Sequence, residues 1–340
     1  MAAAFPPEPL PASRAYAHAD DRIAARQLVV TIGLILVNLA CIGLTPWPFQ
    51  AAWALPLAGL LVRLFVLQHD LGHHALFTHA RTNDRLGRLT SLILGVPYHA
   101  WRTEHAWHHN HQGQLAARGI DRVNSPMTVA EAKASPAEAH TRARLIRLST
   151  VFVLGAHSLA VKRKRTIGFF PFRPGFRWPI RDKARIPATV RWTVATHAVW
   201  HLALAWALGG AAWWVAVLPA YFLAAGFGAL LFWVQHNFEG TWHADEEAWD
   251  YVQVALRGSS YLALPRPLAW FTADIGLHHV HHLNPRIPNY RLEEARRGVP
   301  ALAAVKPLDA TGFWRCFTHV FWSKAAGRMV SEAELAELPE

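Results

Sequence analysis

From Gln27 to Val62, and again from Trp192 to Phe238, the sequence contains no Asp, Glu, Lys or Arg. A helix crosses the hydrocarbon core of a bilayer in about 20 residues, so each stretch has room for two such helices and a tight turn. Turn-forming residues stand in the middle of both, Thr45-Pro46-Trp47-Pro48 in the first and Gly209-Gly210 in the second. The pattern predicts two helical hairpins, with spans at about 27–45, 48–68, 191–208 and 212–234. Neither stretch has the polar face that a soluble helix turns to water. That weighs against the alternative of four buried helices in a large soluble core. Composition points the same way: 52% of the residues are hydrophobic and 17% charged, where a soluble domain carries about 25% charged residues. The 16 Trp and 17 Phe suit the aromatic belts of membrane proteins.

Orientation follows from charge. Lys and Arg number 34 against 23 acidic residues, a net charge of +11. In so apolar a chain the excess is expected on cytoplasmic loops facing anionic lipid, and no nucleic-acid partner is expected. The turns inside the hairpins carry no Lys or Arg, whereas Asp70–Arg191 includes Lys162-Arg163-Lys164-Arg165 and a basic run from Arg173 to Arg191. Both termini and the middle segment are therefore expected in the cytoplasm. Residues 1–25 are Pro/Ala-rich without the apolar core of a secretory signal, and are read as a flexible arm. Segments 89–100 and 145–161 are too short or interrupted to span and are expected as interfacial helices. Trp314, Phe317 and Phe321 recur at helical spacing, which suggests a helix lying on the membrane or packed on the cytoplasmic part. The two cysteines, Cys41 and Cys316, cannot build a disulfide framework or a thiolate cluster.

Histidine is the unusual residue, with 21 copies. His69-Asp70-Leu71-Gly72-His73-His74 follows the second span, and His105-Ala106-Trp107-His108-His109 lies in the middle segment. Gln235-His236-Asn237 ends the fourth span, and His278-His279-Val280-His281-His282 lies further on. The topology places all of these on one side of the membrane. On a helix, residues four apart share a face, so His69 can act with His73, and His-x-x-His-His can serve two neighbouring metal ions. An imidazole-rich set suits Zn, Cu, Fe or Ni without choosing among them. His197 and His201, one turn apart inside the third span, are either functional or bonded across helices.

HDLGHH at 69–74, WRTEHAWHH at 101–109, WVQHNFEGTWH at 233–243 and GSSYLALPRPLAWFTADIGLHHVHHLNPRIPNYRLEEA at 258–295 resemble the histidine boxes of the membrane-bound fatty acid desaturases, in their bacterial acyl-lipid branch near the omega-6 (Δ12) enzymes. The likeness runs from His69 to Arg297. It implies an all-α polytopic protein of four transmembrane helices in two hairpins, with a cytoplasmic helical cap (69–190 and 235–297) holding a di-iron site. The desaturase domain would be 26–297, followed by a cytoplasmic or interfacial tail at 298–340. Carried over residue by residue, the iron ligands would come from His69, His73 or His74, His105, His108, His109, His236, His278, His281 and His282. His279 occupies an x position of its box. Asp70, and with it Gln235 or Asn237, would orient ligands or hold a ligand water; Glu104 and Asp274 have solvated roles as alternatives.

The resemblance further implies two non-haem iron ions, O2 as co-substrate, and a lipid-linked acyl chain that gains a cis double bond. The setting would be the bacterial inner membrane, with the active site on the cytoplasmic side. No His-Pro-Gly-Gly haem motif occurs in the sequence, so the expected electron donor is a separate ferredoxin-, flavodoxin- or cytochrome b5-like protein. Two rivals stay open at this stage: a di-iron acyl hydroxylase on the same scaffold, and a His-rich membrane metal transporter. Bond position, acyl length, head group and oligomeric state are not encoded in these motifs.

Overall fold

The computed structural model describes residues 8–117, 126–152 and 185–338. The first uncharged stretch forms helix α1, Asp21–Leu44, opened by Asp20, whose side chain accepts from the amides of Arg22 and Ile23. Capping in this way satisfies amides that have no partner within the helix. α1 ends at Leu44, just before Pro46, and the turn is tied down by Trp53 Nε1 donating to Thr45 Oγ1 at 2.8 Å. A short 3₁₀ segment, Phe49–Trp53, leads into α2, Ala54–Gly72. α2 does not stop where its apolar residues stop but continues into the first histidine box, expected just beyond the helix, and ends at Gly72 with His73 as its cap. Apolarity reports the lipid-facing length; the helix itself ends only where backbone bonding ends.

Two further helices follow, α3 (Ala80–Leu94) and α4 (Tyr98–His111). The interfacial helix expected at 89–100 is thus broken in the middle. Gly95 takes a left-handed φ of 67° as the cap of α3, a conformation that glycine adopts without steric cost, and Pro97 precedes α4. Helix Pro136–Phe152 covers the start of the expected 145–161 element. The rest of that element, Lys162-Arg163-Lys164-Arg165 and residues 173–184 lie outside the described residues.

The second uncharged stretch forms α5, Arg185–Leu208, and after Gly209 (φ 84°) a turn of helix and a π segment leading into α6, Leu218–His236. Among the described residues, three helical segments are long and apolar enough to cross a membrane: Asp21–Leu44, Phe49–Gly72 and Gly210–His236. On α1 the buried residues Leu28, Ile35, Leu39 and Ile42 share one face, while Val29, Val37 and Leu44 on the other are 70%, 58% and 85% exposed. Covering each such side chain with lipid is worth roughly 1.5–3 kcal/mol. The inner faces of α1, α2 and α6 pack into one apolar core.

Arg63, one residue beyond the uncharged stretch, is buried in α2. It donates through Nε to Thr31 Oγ1 at 3.1 Å and through its guanidinium to the Trp270 carbonyl, with its charge 4.2 Å from the Trp270 ring centre. Trp270 belongs to α7, Arg266–Phe271, and box three forms α8, His278–Leu283.

Two expectations are corrected at the termini. Residues 9–16 are not a free arm: they form a short helix and a 3₁₀ turn, and Ser13 Oγ accepts from Asn284 Nδ2 at 3.0 Å. The fold is mostly helical but not wholly so. Met127–Thr128 (β1) pairs in parallel with His319–Ser323 (β2), which forms a hairpin with Arg328–Ser331 (β3). Phe321 therefore lies on a strand and is fully buried, as Phe317 nearly is, while Trp314 stays exposed on the short helix Ala310–Arg315. The expected membrane-surface helix of all three aromatics does not form.

Candidate metal centre

Of the ten histidines expected as ligands, all but His74 converge on one cluster at the junction of α2, α4, α6 and α8. His69 and His73 sit one turn apart at the end of α2. The chain then turns at His74, which takes φ 54°, so its ring leaves the cluster. His74 Nε2 lies 2.9 Å from Asp84 Oδ1, and the same carboxylate oxygen accepts from Tyr98 Oη at 3.0 Å and Arg102 at 3.2 Å. Of His73 and His74, the structure brings only His73 into the cluster.

The nitrogens fall into two adjacent groups, His69, His73, His105, His109 and His281 in one, and His108, His236 and His282 in the other, each within 4.8 Å of one another. In the first, His109 Nε2 lies 3.0 Å from both His105 Nε2 and His281 Nε2. In the second, His108 Nε2 lies 3.2 Å from His236 Nε2 and 3.3 Å from His282 Nε2. His278 joins it with Nε2 3.0 Å from His236 and 3.1 Å from His282. The helical period produces this split: His105 and His109 share a face of α4 while His108 faces the neighbouring group, and α8 divides His281 from His278 and His282 likewise. The groups touch through His109 and His282, whose rings stack at 4.1 Å.

A metal fits this arrangement better than hydrogen bonding does. Nitrogens bound about 2.0–2.1 Å from one ion stand roughly 3 Å apart. The Nε2 atoms of His69 and His73 are buried with no hydrogen-bond partner, a loss of about 1–3 kcal/mol for each such atom unless something binds there. Burial first, and neighbouring imidazoles second, hold His73, His105, His109, His278, His281 and His282 well below the usual histidine range. They are therefore neutral, with the lone pair that a metal requires. Each cation at this centre would meet imidazoles alone, with no carboxylate in either group.

The surroundings fix the rings. Asp70 Oδ1 lies 3.1 Å from His69 Nδ1, and its Oδ2 accepts from the amide and the Nδ2 of Asn289 at 2.8 and 2.9 Å. The Ile-Pro-Asn-Tyr tail of box three thereby locks box one. Trp101 stacks on His105 at 4.5 Å, and Phe232 lies 5.1 Å from both His108 and His236. Gly72 gives Trp101 its place: a Cβ there would stand 2.8 Å from the indole.

Other singled-out residues lie elsewhere. Gln235 Nε2 donates to the Ile275 carbonyl at 2.8 Å, and Asn237 Nδ2 to the Trp233 carbonyl at 3.2 Å. Glu104 and Asp274 belong to neither histidine group; burial raises the Asp274 carboxyl pKa, with the Arg63 charge opposing. His279 is fully buried, its Nε2 3.3 Å from the Leu302 carbonyl, and burial pushes its pKa down to about 4. His197 and His201 form a bonded chain from Trp213 Nε1 through both rings to the Leu92 carbonyl. Sequence reasoning missed Asn289 and Gln112 as contacts of the cluster; each acts across more than a hundred residues, and no local spacing marks it.

A model of the fatty acid desaturase family matches residues 14–308. A Bacillus subtilis (strain 168) protein named fatty acid desaturase is 32% identical over 285 residues, 83% of this chain and 77% of the relative. The chloroplastic sn-2 acyl-lipid omega-3 desaturase (ferredoxin) of Helianthus annuus is 26% identical over 79% of this chain and 59% of its own length. The chloroplastic omega-6 fatty acid desaturase of Arabidopsis thaliana is 24% identical over 87% of this chain and 64% of its own length. The chain thus spans less than two thirds of these plant relatives.

Proposed function

The chain belongs to the fatty acid desaturase family, and on that premise we propose that it desaturates a lipid-linked fatty acyl chain, with two iron ions held by the two histidine groups. His69, His73, His105, His109 and His281 would hold one ion, and His108, His236, His278 and His282 the other. The observation that carries this reading is the division of boxes two and three between two touching groups of imidazole nitrogens.

A methylene C–H is too strong and too weakly acidic for any side-chain base, so the irons, reduced and with O2, supply the oxidising power. The residues of the chain position and exclude. Asp70 and Asn289 fix His69, the bulk of Trp101 and Phe232 walls the imidazoles from water, and burial keeps His73, His105, His109, His278, His281 and His282 neutral. The acyl chain would run past this wall so that one pair of carbons is presented, and orientation of that kind is worth several kcal/mol of barrier. The product is a cis double bond, and both oxygens of O2 leave as water, with two electrons from the substrate and two from a donor. The donor is a separate ferredoxin-, flavodoxin- or cytochrome b5-like protein; the Helianthus relative carries ferredoxin in its name. Omega-3 and omega-6 relatives match at similar identity, which leaves the bond position to product analysis.

The fold reading goes with it. α5 would be the third of four spans, completing two hairpins, with both termini and the metal centre on the cytoplasmic side of a bacterial inner membrane. The desaturase domain would run over 26–297. Expression in a host without polyunsaturated lipid, with the double bonds located by mass spectrometry, tests the function. A new cis double bond that forms only in air is expected; a hydroxylated acyl chain, or no lipid change from an iron-loaded protein, contradicts it.

A further inference from the structure

α3 follows the first histidine box, and its inner side is tied to the metal end of α2. Gln68 Nε2, on the residue before His69, donates to the Gly87 carbonyl at 3.0 Å and to Ser91 Oγ at 3.1 Å. Asp84 meets His74, Tyr98 and Arg102. The outer side is different. Arg81, Arg85 and Arg88 stand at i, i+4 and i+7, so they share one face of the helix, and all three are exposed. Asp84 is the one acidic residue of α3 and is spent on His74 and Arg102. Among the described residues no carboxylate lies at ion-pair distance from the three arginines.

Towards its end the same face turns apolar. Leu89, beside Arg85 and Arg88, is 63% exposed, and Leu92 continues the line one turn on. This end lies at membrane depth, because the Leu92 and Ile93 carbonyls are met by His197 of α5 and Tyr221 of α6, both inside the second uncharged stretch. Helical rise puts Arg88 about 7.5 Å and Arg81 about 18 Å back along the axis from Ile93. α3 thus leads out of the hydrocarbon with its three cations at the level of the headgroups.

We propose that the Arg81, Arg85 and Arg88 face of α3 binds the phosphate of anionic phospholipids and so makes acyl chains on those lipids the preferred substrate. This rests on the acyl-lipid reading above. Guanidinium groups match phosphate with paired hydrogen bonds, and each basic residue beside an anionic membrane surface strengthens the attraction about fivefold. An acidic electron-donor protein would also suit a basic face, but the exposed Leu89 and the depth of the helix end suit lipid. Because α3 is fixed to α2 beside His69, a lipid held here stands next to the metal centre.

Purified full-length protein is placed in vesicles of phosphatidylglycerol and phosphatidylethanolamine in equal amounts, with a ferredoxin and its reductase as donor. One lipid at a time carries isotope-labelled acyl chains, so the surface charge is the same in both arms. Wild type should desaturate labelled phosphatidylglycerol at least about fivefold faster than labelled phosphatidylethanolamine, and high salt should shrink the difference. R81Q/R85Q/R88Q should bring the two rates together by lowering the phosphatidylglycerol rate alone, with iron content and thermal unfolding as checks of folding. Arg85→Gln, a single exposed change, should shift the ratio in the same direction by less. Equal rates on both lipids in wild type, or an unchanged ratio in the folded variants, overturns the proposal and leaves acyl-lipid desaturation standing. A uniform fall on both lipids also overturns it, and recovery with more ferredoxin would then assign the face to the donor. Wild type that desaturates neither lipid overturns the acyl-lipid reading itself.

Discussion

At the scale of single residues, the histidines that matter are separated from those that do not by where the backbone turns. The i, i+4 spacing made His69 and His73, His105 and His109, and His278 and His282 legible as pairs, because a helix fixes which side chains share a face. The choice of His73 over His74 was not legible, since it depends on α2 running to Gly72 and on the left-handed turn at His74. Box three provides an internal comparison. His278→Ala should remove iron and abolish desaturation, whereas His279→Gln should keep about two irons and most of the activity, its amide replacing the bond to the Leu302 carbonyl. The cost should be no more than about 1–2 kcal/mol of stability, read by thermal unfolding. Iron retained by His278→Ala and lost by His279→Gln would reverse the assignment. His74→Gln should likewise leave the iron in place and loosen only the contact with Asp84, which metal analysis and unfolding together will show.

At the scale of elements, the polar residues inside α5 are explained by the end of α3. The last carbonyls of a helix have no partner within it, and here His197 Nδ1 lies 2.9 Å from the Leu92 carbonyl while Tyr221 Oη donates to the Ile93 carbonyl at 2.8 Å. This is a structural bond across helices and not an ion pathway. His197→Phe should therefore lower stability by about 1–3 kcal/mol with iron content unchanged; unaltered stability with altered metal would contradict it. The C-terminal hairpin was not foreseen, because its strands are short and β1 lies far from them in sequence. It is clipped by Glu334, which accepts from the Ser331 amide and from Arg328. Burial raises the Glu334 pKa, but those bonds outweigh it and lower it from 4.5 to about 2. A group with a depressed folded pKa stabilises fully above its unfolded value and loses that stabilisation as pH falls through the folded one. Protection of the Met329 and Val330 amides from exchange should therefore hold down to about pH 4.5 and fall between there and pH 2. Loss of protection above pH 5 would rule the clip out.

At the scale of the whole molecule, three membrane-length helices could be read from missing charges, and the histidine cluster from four short motifs. What could not be read were contacts that join distant segments. Asn289 on Asp70, Gln112 on His236 and Arg63 on Trp270 each depend on how helices pack, and packing leaves no period in the sequence. Reporter fusions after residues 20, 130 and 335 should read as cytoplasmic and one near Trp47 as external; an external reading at 130 would separate box two from the rest. The account stands or falls on the two touching histidine groups being two iron sites. The most direct measurement is Mössbauer spectroscopy with metal analysis on protein grown in ⁵⁷Fe. About two irons per chain, in two distinguishable environments and magnetically coupled, is the predicted result. A single uncoupled iron, or stoichiometric zinc in protein that still desaturates, would contradict it.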